Sequence, residues 1–365
     1  MADVAAASPA RPDAGRSSTG SRGTASRLRG PAWSVALTGA LAISLPTAVA
    51  MGPVDVPPSV VVEVMVHHLT GLGERTWTDA QDTVVWQIRL PRVLLGAAVG
   101  ALLAGCGVAV QALVRNVLAD PYLLGISAGA TTGAAASILL GAGSAAGVFA
   151  LTGSAFLGAL AATVIVVSVA RLGGRLVPSR LVFAGIAVGF ALTAVTNLIV
   201  FTSDSRDGTR AVLFWALGSL QQARWTSLPL IMPALLAAVV LLLLWSRKLD
   251  ALAVGDDTAR SLGTVPDRFR AAAVVLVCLA VASAVAVSGA IGFVGLVVPH
   301  MARRLVGSVH RRVLPVAALL GALLLIWADV LARTAFEPRE LPLGILTAVI
   351  GAPLLVLLVR RSALH

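Results

Sequence analysis

The chain alternates long apolar runs with short polar stretches along most of its length. Apolar runs of about 18 residues or more recur, and a helix of that length crosses the hydrocarbon core of a bilayer. A membrane β-barrel would instead show apolar and polar residues alternating one by one. The pattern therefore predicts an all-α polytopic membrane protein.

About ten transmembrane helices are predicted, and small residues recur at four-residue spacing in two of them. Gly96 and Gly100 lie in the second span, and Gly129 and Gly133 lie in the third. Small residues at this spacing allow neighbouring helices to approach closely. The predicted spans are Trp33–Gly52, Val93–Val114, a segment starting near Tyr122, Phe149–Ala170, Leu181–Thr202, Leu228–Trp245, Ala271–Gly289, a short segment at Phe293–Val306, Leu314–Ala332 and Leu343–Val359.

Two domains are predicted: a disordered tail at residues 1–31 and a transmembrane domain at residues 32–365. The tail is rich in Ala, Ser, Gly, Pro and Arg and has no apolar periodicity. Ala48-Val49-Ala50 resembles a signal-peptidase site. We predict a retained anchor, because an even number of spans then closes the topology, and cleavage of this span is the alternative.

The long loop Pro53–Arg92 has a possible amphipathic segment at Val60–Leu69. His67 and His68 within it are adjacent, and on a helix adjacent side chains point about 100° apart. Two side chains that diverge in this way are poorly placed to bind one metal ion, so a solvated surface pair is predicted.

A polar island at residues 247–270 separates two long apolar segments. Nine of its 24 residues are charged, whereas 12% of the whole chain is charged. Asp256 and Asp257 would occupy the first turn of a short helix, where they favour the helix dipole, and Gly263 would end that helix. Gly255 is expected as the bend before it. We predict that a soluble partner protein binds this compact helical segment.

Composition narrows the class further. With 58% hydrophobic residues, the chain has too little polar surface for a water-soluble globule. The net charge of +11 does not indicate nucleic-acid binding, because most basic residues lie between or beside the spans. Cys106 and Cys278 both lie within apolar runs and are predicted to be small core residues.

The distribution of basic residues predicts the orientation. With both termini in the cytoplasm, 20 of the 28 Lys and Arg residues fall on the cytoplasmic side. This bias agrees with the positive-inside rule and places the polar island in the cytoplasm. The 20 residues are Arg11, Arg16, Arg22, Arg27, Arg29, Arg115, Arg171, Arg175, Arg180, Arg247, Lys248, Arg260, Arg268, Arg270, Arg303, Arg304, Arg311, Arg312, Arg360 and Arg361.

The chain has no P-loop of its own. That motif needs Lys followed by Ser or Thr, and the single Lys248 is followed by Leu249. Any ATP and Mg²⁺ would be bound by a partner, and no cofactor, metal site or catalytic residue is predicted in this chain.

Three ionisable residues in or near the spans are functional candidates. Asp329 and Arg333 are four residues apart, so they share a helix face; we expect a structural pair near the outer end of the ninth span. His300 follows Pro299 and is either a proton relay or a histidine at a helix break facing cytoplasmic water.

Several stretches together resemble the FecCD-type permeases, the membrane subunits of ABC importers for iron–siderophores, haem and cobalamin. They are VWQIRLPRVLLGAAVGALLAGCGVAVQALVRNVLADPYLLGISAGA, ALAVGDDTARSLG, SGAIGFVGLVVPHMARRLVGSVHRRVLP, GALLLIWADVLART and ELPLGILTAVIGAPLLVLLVRR. The resemblance covers the chain from about Trp33 onward and departs at Val117, where the family usually has Pro.

This resemblance implies the type II ABC importer fold, with two related halves, in the cytoplasmic membrane. It implies a dimer with a second permease chain, identical or closely related, and a pathway at the dimer interface. Two ABC ATPase subunits would dock on the polar islands. A periplasmic or lipid-anchored binding protein would deliver a metal chelate from the other side.

The resemblance also assigns candidate residues. The segment Val177 to Arg180 matches the turn at the cytoplasmic end of the pathway, with Ser179 and Pro178 as gate candidates. Thr193, Thr196 and Asn197 would line the cavity. Arg89, Arg92 and Arg333 would receive carboxylates of the binding protein, and interfacial snorkelling of their guanidinium groups to lipid phosphates is the alternative. The predicted ATPase-coupling residues are Gly255, Asp256, Asp257, Ala259, Arg260, Leu262 and Gly263.

Two classes of function are compatible with the sequence. The first is a permease subunit that depends on a separate ATPase, and the second is an autonomous secondary carrier or channel. The polar island favours the first, because a carrier has no need of a structured cytoplasmic segment. The sequence leaves open which chelate is carried and whether the two permease chains are identical.

Overall fold

The computed structural model describes residues 20–172 and 174–362, and it is helical throughout its spans. The helices are α1 Gly20–Ala50, α2 Pro58–Thr70, α3 Asp79–Asp82, α4 Leu90–Leu113, α5 Ile126–Leu140, α6 Ala150–Ala170, α7 Pro178–Phe201, α8 Arg206–Ala216, α9 Leu228–Leu244, α10 Ser246–Val254, α11 Asp256–Ser261, α12 Pro266–Ser288, α13 Val294–Val306, α14 His310–Thr334 and α15 Leu343–Ser362. A π-helical segment, Thr83–Arg89, joins α3 to α4.

Seven helices among the described residues are long and apolar enough to cross a membrane. They belong to α1, α4, α6, α7, α9, α12 and α14. The shorter α5, α13 and α15 fall on the three remaining predicted spans. The all-α polytopic fold is therefore confirmed, and each predicted span lies on a helix.

The predicted tail needs one correction. Residues 1–19 lie outside the described part of the chain, but α1 begins at Gly20. Residues 20–31 are therefore helical rather than disordered. A continuous helix can include Pro31, although it lacks a donor, when the apolar run beyond it is long enough to hold the helix together.

Glycine allows the long helices to cross in close contact. A Cβ atom on Gly100 of α4 would lie 2.1 Å from the carbonyl oxygen of Gly321 on α14. A Cβ atom on Gly129 of α5 would lie 2.4 Å from the carbonyl oxygen of Gly158 on α6. No side chain fits at either position, which confirms the small-residue contacts predicted from the sequence.

The spans form two intertwined halves, α4–α7 and α12–α15. In each half the first long helix packs against the third helix of the other half: α4 against α14, and α12 against α6. Helix α1 lies outside this pairing and packs against α14, where Trp327 Nε1 donates to Ser44 Oγ at 3.1 Å.

The bundle has two chemically distinct ends. One end, here called the island end, carries α10 and α11 together with the last turn of α4 and the beginnings of α12 and α14. The other, here called the α2 end, carries α2, α3, the π-helical segment and the last turn of α14. The candidate sites lie at these two ends and in a groove between them.

Candidate functional site

The polar island folds into two short helices, α10 and α11, separated by a bend at Gly255. Gly263 has φ +78, a left-handed conformation that glycine adopts without steric cost, and it ends the segment as predicted. The sequence pattern therefore predicted α11 and its termination correctly. Before Gly255 the sequence pattern predicted only a short turn, whereas the structure has the nine-residue helix α10.

A buried arginine fixes this island to the transmembrane helices. Arg270, in the first turns of α12, is 0% exposed. Its guanidinium donates to the carbonyl oxygen of Leu113 at 3.2 Å, to that of Leu176 at 2.9 Å and to the carboxylate of Asp256 at 2.8 Å. One side chain therefore joins α11 to the end of α4 and to the segment that precedes α7.

Asp256 is held in its ionised form by this contact. Burial pulls the pKa of its carboxyl up, but the hydrogen bond and charge of Arg270 outweigh it and hold the pKa below its usual value. Arg115, 3.7 Å away, contributes in the same direction. The first turn of α11 thus carries a fixed negative charge that faces into the protein.

A second contact ties α10 to α14. Oδ1 of Asp250 accepts a hydrogen bond from the backbone N–H of His310 at 3.0 Å and lies 2.5 Å from His310 Nδ1. Burial raises the pKa of Asp250, and the hydrogen bonds from His310 outweigh it and lower the pKa. Both helices of the island are therefore attached to spans, so a displacement of the island pulls on α12 and α14.

The outer surface of the island is partly apolar. Val254 is 74% exposed, Leu262 is 68% exposed, and Val265 is 55% exposed. Asp257 and Arg260 form an exposed pair at 2.5 Å beside them. This mixture of apolar and charged groups suits a protein interface better than a purely solvated surface.

The predicted coupling residues therefore divide into two groups. Asp257, Arg260, Leu262 and Gly263 are exposed and available to a partner. Ala259 is 0% exposed, because α11 packs its small side toward the protein, so this residue is not accessible to a partner here. Asp256 and Gly255 are half-buried.

A groove of about 530 Å³ lies between α5, α7 and α8. Thr193, Thr196 and Asn197 line this groove. Among the side chains that the structure describes, none on this wall carries a charge. Its surface consists of glycines, small hydroxyl groups, one amide and apolar residues.

The polar groups of the groove have different roles. Thr196 is buried and lies 2.8 Å from the hydroxyl of Thr132, so it holds α7 against α5. Thr193 is exposed and donates to the carbonyl oxygen of Gly189 at 2.8 Å. Asn197 is exposed, and its amide makes no hydrogen bond to the described residues. Thr193 and Asn197 are therefore accessible polar groups of the groove.

The two gate candidates lie at the island end of α7, ahead of the groove. Pro178 is the first residue of α7 and is buried, whereas Ser179 is exposed. Pro178 therefore fixes where the helix begins, and Ser179 is the one whose hydroxyl is accessible. Neither lines the groove itself.

An ion network is buried at the α2 end. Arg92 Nε lies 2.9 Å from Asp329 Oδ1, and Arg92 Nη2 lies 2.8 Å from Glu340 Oε2. Arg333 Nε lies 3.6 Å from Asp329, which confirms the predicted pair within α14. The closer partner of Asp329 is Arg92, which is too distant in the chain for helical spacing to reveal.

The three arginines predicted to receive carboxylates of the binding protein are buried in this structure. Arg89 is 4% exposed, Arg92 8% and Arg333 3%. Arg89 donates to the carbonyl oxygens of Val49, Ala50 and Val54, and Arg333 donates to that of Ala48. The last turn of α1 and Val54 just beyond it therefore accept hydrogen bonds from Arg89 and Arg333.

The structure also shows where the remaining histidines and cysteines of the sequence analysis lie. His68 is not simply solvated: it lies 3.0 Å from Asp82 and stacks on Trp86 with ring centroids 4.2 Å apart. Cys106 and Cys278 are buried, as predicted. Nε2 of His300 is buried without a hydrogen-bond partner among the described residues.

Sequence reasoning missed two polar residues that join helices. Arg270 was counted only as a cytoplasmic charge, and nothing in its neighbourhood indicates that it is buried. Gln111 lies in an apolar run, and its side chain accepts from Arg303 Nη1 at 2.5 Å while its amide donates to carbonyl oxygens of α13. An isolated amide within a span was the available signal for Gln111.

Comparison with known proteins gives a consistent result. The model of the FecCD transport family matches residues 40–361. An ABC transporter permease of Bacillus subtilis, YvrB, is 38% identical over 326 residues, which covers 88% of this chain and 91% of that protein. The hemin transport system permease HmuU of Yersinia pestis is 40% identical over 294 residues, or 78% of this chain and 87% of that protein.

A solved structure has the same fold. It is described as an inward-facing conformation of a metal-chelate type ABC transporter, and it superposes with a TM-score of 0.78 at 30% sequence identity. The match covers 91% of this chain and 99% of that one.

Proposed function

Because the chain belongs to the FecCD transport family and is a membrane permease subunit of an ABC importer, we propose that it carries a ferric–siderophore complex into the cell. Relatives named for hemin, cobalamin and Fe(3+)-citrate import support a metal chelate as the cargo class. Haem and cobalamin are the alternatives within that class.

The uncharged groove between α5, α7 and α8 is the observation that carries this proposal. A bulky chelate presents many weak polar groups, and a wall of hydroxyls, glycines and one amide offers contacts without a strong site. A charged wall would bind an oppositely charged cargo too tightly to release it. In a dimer of permease chains, two such grooves would face each other and enclose the pathway.

The island end faces the cytoplasm in this proposal, as the excess of basic residues on that side indicates. ATP hydrolysis takes place on two separate ABC ATPase subunits. Each ATPase contacts the exposed surface formed by Val254, Leu262, Val265 and the Asp257–Arg260 pair. Arg270 and Asp250 then convey a movement of the island to α12 and α14.

A binding protein delivers the chelate at the α2 end. Charged groups that are exposed there include Arg75, Asp79 and Arg224, and these rather than the three buried arginines are available for electrostatic attraction of a partner.

Uptake by reconstituted protein tests the function. Proteoliposomes contain the chain, its ATPase and the binding protein, with or without internal ATP. They are supplied with ⁵⁵Fe-labelled siderophores, with ⁵⁵Fe-labelled haem or with radiolabelled cobalamin. We expect uptake of a ferric siderophore that requires ATP and both partners. Uptake by the chain alone, driven by a proton or ion gradient, would instead establish the autonomous carrier.

A further inference from the structure

One face of α2 is apolar and uncovered. Val62, Val66 and Leu69 lie on one side of this helix, because successive residues are rotated by 100°. Their exposed fractions are 50%, 43% and 71%, and Leu72 just beyond the helix is 68% exposed. We call these four residues the α2 stripe. None of them is charged or polar.

The opposite side of α2 packs against the protein. Val61 and Val64 are 0% exposed and belong to a cluster with Trp77 and Val85. This contact fixes the rotation of the helix about its axis. The α2 stripe is exposed because Val61 and Val64 face the protein.

The polar face of α2 is occupied by the loop that follows it. Thr76 Oγ1 donates to Glu63 Oε2 at 2.5 Å, and His67 Nδ1 lies 3.3 Å from the carbonyl oxygen of Gly73. His68 lies 3.0 Å from Asp82. Glu63, His67 and His68 therefore bond to the chain, while the α2 stripe points away from it. A helix on a water-exposed surface has the reverse arrangement.

The position of α2 explains this arrangement. The membrane-spanning α1 ends at Ala50 and α2 begins at Pro58, with the exposed Met51 and Val54 between them. Trp86 and Trp225 lie at the same end with ring centroids 4.9 Å apart. Tryptophan is enriched where membrane and water meet. Exposed apolar side chains therefore occur on α1, on the segment that follows it and on the α2 stripe.

We propose that α2 lies in the plane of the membrane interface and that the α2 stripe rests on lipid acyl chains. An in-plane helix with one apolar face buries that face at the boundary between headgroups and acyl chains. This contact holds the segment between α1 and α2, whose Val54 carbonyl accepts from Arg89, against the bundle. It is independent of which cargo the transporter carries.

A protein partner fits this surface less well. A specific protein interface buries roughly 800 Å² on each partner and combines apolar contacts with a polar rim. Four aliphatic side chains on one short helix provide much less area and no polar group. Lipid needs no such complementarity.

Site-directed spin labelling of the full-length chain in lipid nanodiscs tests the proposal. Nitroxide labels are placed on Val66→Cys and Leu69→Cys, and collision rates with O₂, which concentrates in lipid, and with a water-soluble Ni²⁺ chelate are measured. Ile43→Cys on α1 serves as the lipid reference and the exposed Glu74→Cys as the aqueous reference. The native Cys106 and Cys278 are buried and do not compete for the label.

We expect both stripe labels to resemble the Ile43 label, with a ratio of O₂ to Ni²⁺ collisions several-fold above that of the Glu74 label. A ratio equal to that of Glu74 would overturn the proposal. So would a low ratio that changes when the binding protein is added, because that result would assign the stripe to the partner. Circular dichroism and gel filtration of each variant confirm that the labelled chains are folded.

Discussion

Nη2 of Arg270 lies 2.8 Å from Oδ1 of Asp256, which joins the first residue of α11 to a fully buried guanidinium at the start of α12. Because the same guanidinium binds carbonyl oxygens of Leu113 and Leu176, the pair connects the polar island to the end of α4 and to the segment before α7. We regard this pair as the mechanical link between an ATPase and the transmembrane helices.

Replacing Asp256 by Asn tests that link. The variant leaves the buried Arg270 charge with only the more distant carboxylate of Asp267, 3.9 Å away, and hydrogen bonds to charged groups contribute about 1.5–3 kcal/mol. We expect a lower midpoint of thermal unfolding and weaker stimulation of ATPase activity by cargo. Asp257→Asn is the matched control for the unfolding midpoint, because Asp257 is fully exposed and its pair with Arg260 is screened by solvent. Equal effects of the two variants on the unfolding midpoint would contradict the role of Arg270.

The same pair predicts a pH dependence. Arg270 lowers the pKa of Asp256 in the folded state, so the pair stabilises the fold above the unfolded-state pKa of about 3.9. That stability is lost as the pH falls through the lowered folded-state pKa. The difference in unfolding free energy between wild type and Asp256→Asn should therefore be constant from about pH 8 to pH 5 and shrink below about pH 4. Unfolding by denaturant at a series of pH values measures it, and a difference that changes near pH 6–7 would contradict this assignment.

The groove can be narrowed without disturbing the packing. Gly189 lines the groove, and a Cβ atom built there meets nothing within 4 Å. Gly189→Trp should therefore fold normally and reduce the uptake rate strongly, because the indole occupies the passage. Gly39→Trp on the exposed side of α1, where the surroundings are equally open, should leave uptake unchanged. Normal uptake by the Gly189 variant would place the pathway elsewhere.

Asp329 should contribute to stability rather than to transport chemistry. It lies against two guanidinium groups, and removing one partner from a buried ion pair costs about 3–5 kcal/mol. We expect Asp329→Asn to assemble poorly, while the molecules that do assemble carry cargo at the normal rate at every pH. A correctly folded variant with uptake that fails in a pH-dependent way would instead identify a proton relay.

The sequence predicted the spans and the island because both depend on local pattern. Runs of apolar residues, the acidic first turn of α11 and Gly263 are readable one segment at a time. The burial of Arg89 could not be predicted in this way, because the residues that cover it come from the end of α1. Ala259 and Leu262 looked equivalent as contact residues, since the side of α11 that meets the bundle depends on the Arg270–Asp256 contact.

Docking of the ATPase on the exposed surface of the island is the central claim, and Leu262 tests it most directly. The side chain of Leu262 is 68% exposed, so Leu262→Arg should preserve the fold and prevent association with the ATPase.

Co-purification of the ATPase with the wild-type and variant chains in detergent is the measurement, with the thermal unfolding midpoint of each chain as the check on folding. Ala259→Arg provides the contrast, because it places a charge in a fully buried position and should lower the unfolding midpoint itself. We predict that Leu262→Arg keeps the wild-type unfolding midpoint and loses the ATPase. An ATPase that still co-purifies in wild-type amount with Leu262→Arg would contradict docking at this surface.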